Sequence, residues 1–206
     1  LIRKKPILLL VRSLTMIHRL GSIILACSSA SFSTFLYNYF YREETEVLFF
    51  YGFMEICNFH RNIAAITPVV QNNECFKCKL NILIGYLNRA KNTLDICLYT
   101  LSHELLTNAI LDAYKRGVNV RLIVDYDNFM TTWKISNVGI SKRVNKHDKY
   151  LMHHKFVIID NKKVILGSLN WTMSPRTNWE NVFITNNCEL VNPFRQEFLR
   201  LWEQFT

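Results

Sequence analysis

Between Met152 and Asn170 the chain reads MHHKFVIIDNKKVILGSLN, and His153, Lys155, Ser168 and Asn170 are the side chains in it equipped for chemistry. Phe156 to Ile159 is a β-branched and aromatic run that stops at the turn-forming pair Asp160-Asn161, so a strand is expected from His154 to Asp160. Side chains alternate along a strand, which sends His153 and Lys155 to one face and His154 and Phe156 to the other. A second short run, Val164 to Leu166, ends at Gly167, a residue that lets backbone approach a ligand closely. If the chain beyond it stays extended, Ser168 and Asn170 reach the same spot. One nucleophile or base, one fixed cation and two neutral donors are what an anionic phosphoryl centre requires.

The elements that position this set follow an alternating pattern. A strand is expected at Glu46–Phe50, a helix from about Glu74 to Lys91 with Leu80, Leu83, Ile84 and Leu87 at helical spacing, and a strand at Thr93–Tyr99. Ser102 is a candidate N-cap for a helix from His103 to Arg116, which Gly117 ends. Val118–Val124 follows as a nearly continuous apolar strand. Strand, helix, strand implies a parallel pair with the crossover helix packed on the sheet. Asp125, Tyr126, Asp127 and Asn128 then fall at the carboxyl end of that strand, where α/β sheets place ligands, although a solvated loop is the plainer reading. Glu180–Thr185 reads as a strand, and Asn192-Pro193 as the N-cap and first turn of a last helix through Phe205. Phe194, Phe198, Leu201 and Phe205 give that helix an apolar stripe for the core.

His153-x-Lys155-x4-Asp160 followed by Gly167-Ser168-x-Asn170 resembles the HKD pattern of the phospholipase D superfamily. The run from Tyr150 to Ile184, with MHHK, GSLNWT and NWENV, is similar to its Zucchini or mitochondrial phospholipase D-like branch, and the likeness spans roughly residues 45 to 205. That branch includes cardiolipin hydrolases and endoribonucleases of the piRNA pathway, so the resemblance implies first a metal-independent endoribonuclease cutting single-stranded RNA, with cardiolipin hydrolysis at the same site as the alternative and a catalytically silent RNA-binding scaffold as the third. The resemblance implies an α/β fold with a mixed sheet flanked by helices and one HKD motif per chain. It implies a catalytic set of His153, Lys155, Asp160, Ser168, Asn170 and Glu180. In it neutral His153 attacks phosphorus to form a phosphohistidine, and Lys155, Asn170 and Ser168 hold the charged oxygens. Glu180 lies ten residues beyond Asn170, matching the family's orienting glutamate that takes the other imidazole N–H. Asp160 lies past the strand's end, a structural position.

His153 cannot both attack and protonate the leaving alkoxide, and no second HxKx4D occurs in the 206 residues. The missing acid is expected from a second copy, in a two-fold homodimer whose two imidazoles titrate as a coupled pair. No cofactor is expected for catalysis.

Six cysteines occur, at 27, 57, 75, 78, 97 and 188. Cys57-x2-His60 and Cys75-x2-Cys78 offer four ligands in two close pairs, as a structural zinc site requires, within an insertion at 57–78. The plainer alternative is buried thiols beside a surface histidine. Cys27, Cys97 and Cys188 read as structural or incidental.

The formal charge of +9 and pI near 9.3 favour a polyanionic partner, single-stranded RNA or an anionic phospholipid surface. Half the residues are apolar, which excludes a disordered chain. Residues 134 to 149 carry Lys134, Lys142, Arg143, Lys146, His147 and Lys149 against one acid, Asp148. Lys142, Arg143 and Lys146 are therefore candidates for a substrate-binding rim, with a solvated face the alternative.

Residues 1–19 hold five basic and no acidic residues, a leader of targeting type, and residues 20–41 form 22 uncharged positions closing on Tyr37, Tyr39, Phe40 and Tyr41. A membrane anchor is the first expectation for 20–41, a cleaved segment or a soluble helix the others, with a catalytic domain over 42–206. The positive-inside rule would send that domain into an oxidising lumen that threatens the clustered thiols. The resemblance implies the outer mitochondrial membrane, with the domain in the cytosol.

Overall fold

A computed structural model of the chain describes residues 31–34, 36, 42–52, 75–125, 133–147, 149–172 and 178–205. The chain divides into two units, Leu1–Glu43 and Glu44–Thr206. Residues 31–34 and 36 of the first are helical. Among the described residues no helix is long and apolar enough to cross a membrane; most of the expected anchor at 20–41, and all of the leader, lie outside them.

Among the described residues the second unit is built on seven strands: β1 (Thr45–Phe50), β2 (Thr93–Leu98), β3 (Asn119–Asp125), β4 (Ser141–Asn145), β5 (Lys155–Ile159), β6 (Lys163–Gly167) and β7 (Glu180–Thr185). Their order across the sheet is β1-β7-β6-β5-β2-β3-β4. The β2–β3 and β3–β4 pairs are parallel and the rest antiparallel, so the sheet is mixed. Four helices among the described residues accompany it: α1 (Phe76–Asn88), α2 (Glu104–Lys115), α3 (Trp133–Asn137) and α4 (Cys188–Gln204). The β2–α2–β3 unit is the expected crossover.

Alternation along the strands makes two apolar layers. Leu94, Ile96 and Leu98 of β2, with Val157 and Ile159 of β5, pack with Leu80, Leu83 and Leu87 of α1 and Leu106 and Ile110 of α2. Burying each such side chain contributes about 1.5–3 kcal/mol, which outweighs the modest intrinsic preference of these short helices. On the other face Cys97, Phe156 and Ile158 meet Phe198 and Leu201 of α4. That face also carries charge: Arg121 grips Asp95 through two 2.7 Å hydrogen bonds, and its guanidinium lies 4.9 Å from the Phe198 ring and 5.3 Å from Trp202. The aromatic stripe of α4 thus covers a paired ion as well as hydrocarbon.

Two element ends differ from expectation. The last helix begins at Cys188, not after Asn192, because Asn187 Oδ1 accepts from Glu189 N at 2.8 Å and caps it earlier. Pro193 therefore sits inside α4 and costs it one intrahelical hydrogen bond. The residue before α2 is His103, without a side-chain cap, since the Ser102 and His103 N–H groups both donate to Trp171 O, at 2.8 and 2.9 Å. Gly117, with φ +88°, ends α2 as expected. Asp160 and Asn161 have φ 53° and 55°, the consecutive left-handed pair of a tight β5–β6 turn.

Candidate active site

The start of β5, the end of β6 and the start of β7 share one end of the sheet with the carboxyl ends of β2, β3 and β4, because β5 and β7 run against β6 and β5 runs against β2. That end gathers His153, Lys155, Ser168 and Glu180 with Tyr99, Asp125 and Asn145. Lys155 Nζ lies 3.1 Å from His153 Nδ1 and 3.3 Å from Nε2, and donates to the His153 carbonyl at 2.8 Å. The imidazole is exposed, and its ring centroid is 4.5 Å from that of Tyr99, over which the same ammonium sits at 5.3 Å. Such desolvation as the ring suffers, then the Lys155 charge, holds the His153 pKa below its ordinary value, with Asp125 pulling the other way. Partial burial also lowers Lys155, against the field of Glu180. The pair is thus a neutral imidazole beside a cation, suited to attack on an anionic phosphodiester.

Each remaining expected residue has a definite place. Ser168 Oγ accepts from Asn181 N at 3.0 Å, which fixes the oxygen and leaves its proton to donate. Asn170 Oδ1 is buried with no hydrogen-bond partner among the described residues, two residues beyond Ser168. Gly167 approaches the chain and not a ligand: a Cβ there would stand 2.1 Å from the Asn181 carbonyl oxygen. Among the described residues Glu180 Oε1 accepts from Asn178 Nδ2 at 3.1 Å and makes no hydrogen bond to His153. Asp160 accepts from the backbone N–H groups of Lys91, Asn92 and Thr93, at 3.1, 2.6 and 3.0 Å. It lies at the far end of β5, roughly 16 Å along the strand from Lys155, and shapes the turn without reaching the site. His154 faces α4, with Nε2 3.5 Å from Glu197.

The basic segment divides. Arg143 Nη1 donates to the Phe205 carbonyl at 2.6 Å and its guanidinium stacks 5.0 Å over Trp202, so it clamps the end of α4 and does not line a rim. Lys142 is half-buried, and burial lowers its pKa; Lys146 is exposed. Of the four zinc candidates, Cys75 precedes α1 and Cys78 lies in its first turn, one buried and one partly so. Cys57 and His60 lie outside the described residues, and among those described no group of three or more potential ligands gathers.

The sequence carries no signal for Tyr99 at the site, and it puts Asp125 where α/β sheets bind ligands with a solvated loop as the plainer reading. Asp125 is not a solvated loop residue. It is buried at the end of β3, where Oδ2 accepts from Met152 N at 2.7 Å and Asn145 Nδ2 at 3.1 Å and so holds the strand that presents His153. Its position at the carboxyl end of a parallel strand was the available signal.

Residues 83–202 match the family described as "Cardiolipin synthase, PLD-like domain". A zebrafish (Danio rerio) protein named "Mitochondrial cardiolipin hydrolase" is 38% identical over 168 residues, covering 77% of this chain and 72% of that protein. The human protein of the same name is 40% identical over 131 residues, 61% of this chain and 52% of its own length. Among solved structures, Nuc from Salmonella typhimurium, a phospholipase D family member, superimposes with TM-score 0.61 at 20% identity, covering 80% of this chain and 97% of its own. NucT from Helicobacter pylori gives 0.59 at 21% identity, covering 80% and 99%. At such identities these two report a shared fold.

Proposed function

The chain belongs to the phospholipase D superfamily and is a phosphodiester hydrolase, and on that premise we propose that it works through a phosphohistidine on His153, completed by a second copy of itself. The observation that supports this reading is the Lys155 ammonium 3.1–3.3 Å from both ring nitrogens of a pKa-depressed, exposed imidazole. His153 forms a bond to phosphorus as the P–O bond to the leaving group breaks, and the departing alkoxide takes a proton from the imidazolium of His153 of the partner subunit. Water then attacks the phosphohistidine, its proton returns to that second imidazole, and the phosphomonoester leaves. Lys155, Asn170 and the Ser168 hydroxyl neutralise and hold the phosphoryl oxygens. Glu180 orients an imidazole across the composite site, each chain supplying half.

These protein groups form a complete set for hydrolysis, so turnover is expected to persist in EDTA. Loss of activity in EDTA that magnesium restores would sink the mechanism. Zinc, if held by Cys57, His60, Cys75 and Cys78, is structural. Elemental analysis is expected to find about one zinc per chain, lost in Cys75→Ser together with thermal stability.

The substrate supported best is cardiolipin, cut to phosphatidic acid, since the curated relatives carry that activity in their name. The same names support a mitochondrial site, and the uncharged segment at 20–41 a single outer-membrane anchor with the domain in the cytosol. Single-stranded RNA, as in piRNA biogenesis, is the second reading. It rests on the +9 charge, with Arg143 withdrawn from its support. Purified full-length chain offered cardiolipin vesicles and labelled single-stranded RNA, with His153→Ala as control, separates them. Lipid turnover without RNA cleavage is expected, and the reverse would overturn the substrate assignment.

A further inference from the structure

Among the described residues, large exposed apolar side chains border the catalytic end of the sheet. Tyr150 is 70% exposed and Leu151 56%, consecutive residues immediately before Met152-His153. Trp179, 68% exposed, precedes Glu180, and Leu105 in the first turn of α2 is exposed at the same end. Exposed aromatic and aliphatic side chains in one neighbourhood mark a contact surface.

The segment that carries Tyr150 and Leu151 is held in shape. Asn145 Nδ2 donates to the Tyr150 carbonyl at 2.7 Å, His147 N donates to Asn145 Oδ1 at 3.2 Å, and Lys149 N donates to His147 Nδ1 at 3.2 Å. The His147 and Tyr150 rings pack with centroids 4.7 Å apart. Asn145 is itself buried and bonded to Asp125, the residue that fixes Met152. One polar network therefore sets both the exposed pair and the backbone of the nucleophile. Lys146 and Lys149 are exposed on the same segment, with Asp148 as its one acid. A cavity of about 420 Å³ lies between this segment and the end of α4, lined by Tyr150, Leu151, Leu201 and Phe205 and reaching His153 and Arg200. The exposed pair and the nucleophile thus share one cavity, whose wall also carries His154, Glu197 and Gln204.

We propose that the Lys146–Leu151 segment is an interfacial docking loop, which sets Tyr150 and Leu151 at the acyl boundary of an anionic bilayer with Lys146 and Lys149 among its headgroups. It deepens, and rests on, the reading of the site as a lipid hydrolase. A bilayer suits the pair better than a nucleic acid, because Leu151 offers no π face for a base to stack on, whereas an aromatic-aliphatic pair beside lysines is the composition of interfacial anchors. The loop would hold the mouth of the cavity against the membrane, so that a lipid reaches His153 without crossing open water.

The test uses full-length His153→Ala chain, so that turnover cannot alter the lipid, in nanodiscs of phosphatidylserine mixed with phosphatidylcholine or of phosphatidylcholine alone. Amide hydrogen exchange of residues 146–152 is expected to slow roughly fivefold or more in the anionic discs alone, and the slowing to vanish in Tyr150→Ser/Leu151→Ser. In the active background that double variant should lose roughly tenfold on vesicle lipid while hydrolysing soluble bis(p-nitrophenyl) phosphate within about twofold of the parent. Equal exchange in both discs would overturn the proposal. So would protection by single-stranded RNA but not by lipid, or conversion of the double variant to a monomer in light scattering, which would assign the loop to a second copy of the chain. The two readings fail separately. Protection by lipid with no cardiolipin turnover ends the substrate assignment and supports docking, whereas turnover with no protection ends docking alone.

Discussion

His153 has its titration pulled down by partial desolvation first and by the Lys155 ammonium second. A histidine lowered in this way stays neutral, and nucleophilic, to a lower pH than the ordinary 6.5. The acid limb of kcat/KM is therefore expected below that value. Lys155→Met removes a positive neighbour, so the imidazole should titrate closer to 6.5, read by NMR of the ring protons, while turnover falls by at least about 10²-fold with the oxyanion cation gone. An unchanged titration would show that the two groups are not coupled as described. Asp160 makes a contrasting case in the same motif. Partial burial would raise its carboxyl, but the N–H donors of Thr93, Asn92 and Lys91 prevail and hold it below the ordinary carboxylate value. A depressed carboxylate contributes stability that is present above its unfolded pKa and is lost as pH falls through the folded one. Asp160→Ala should cost about 2 kcal/mol, a fall in Tm of roughly 4–8 °C, and its deficit should shrink in acid. Activity per folded molecule should persist. A folded but inactive variant would return Asp160 to the chemistry.

At the scale of elements, the β6–β7 pair registers the two halves of the site. Gly167 pairs with Val182, and the next residue exchanges hydrogen bonds with Asn181, so Ser168 and Glu180 are positioned by one ladder. Gly167→Ala places a methyl against the Asn181 carbonyl, 2.1 Å from its oxygen, and the two strands must part. We expect a loss of about 3 kcal/mol or more, measured by chemical denaturation, with activity falling even in the folded fraction because Ser168 moves away from the imidazole. Retention of both would mean that the ladder is not what sets the site. α4 contributes from the opposite face: its Phe198 and Trp202 cover the Arg121–Asp95 pair, and its last turn receives Arg143. A basic residue that reads as a substrate contact in one dimension is here a rivet between β4 and a helix.

For the whole molecule the decisive quantity is association. The proposed mechanism puts half the acid–base apparatus in each chain, so specific activity should fall on dilution in parallel with the dimer fraction measured by light scattering. Full turnover by a strictly monomeric preparation would break the mechanism. At the catalytic end His153 is the imidazole beside the Lys155 ammonium, and on the proposed mechanism the acid for the leaving group is His153 of the partner subunit.

What the sequence determined by itself was local and periodic. The β-branched run at Phe156–Ile159 made a strand, its alternation put His153 with Lys155 and turned His154 toward α4, and Asp160-Asn161 made the turn. The β2–α2–β3 crossover followed from apolar spacing and Gly117. Only the tertiary structure decided which polar groups remain available for chemistry, because a hydrogen bond between residues far apart in the chain has no periodicity to announce it. Asp160 is taken by the Lys91–Thr93 backbone, Arg143 by Trp202 and Phe205, and Gly167 by the Asn181 carbonyl. Asp125 and Tyr99 enter the site for the same reason: parallel and antiparallel pairing about β2 brings the ends of β2 and β3 to the start of β5, a neighbourhood set by strand order and not by sequence distance.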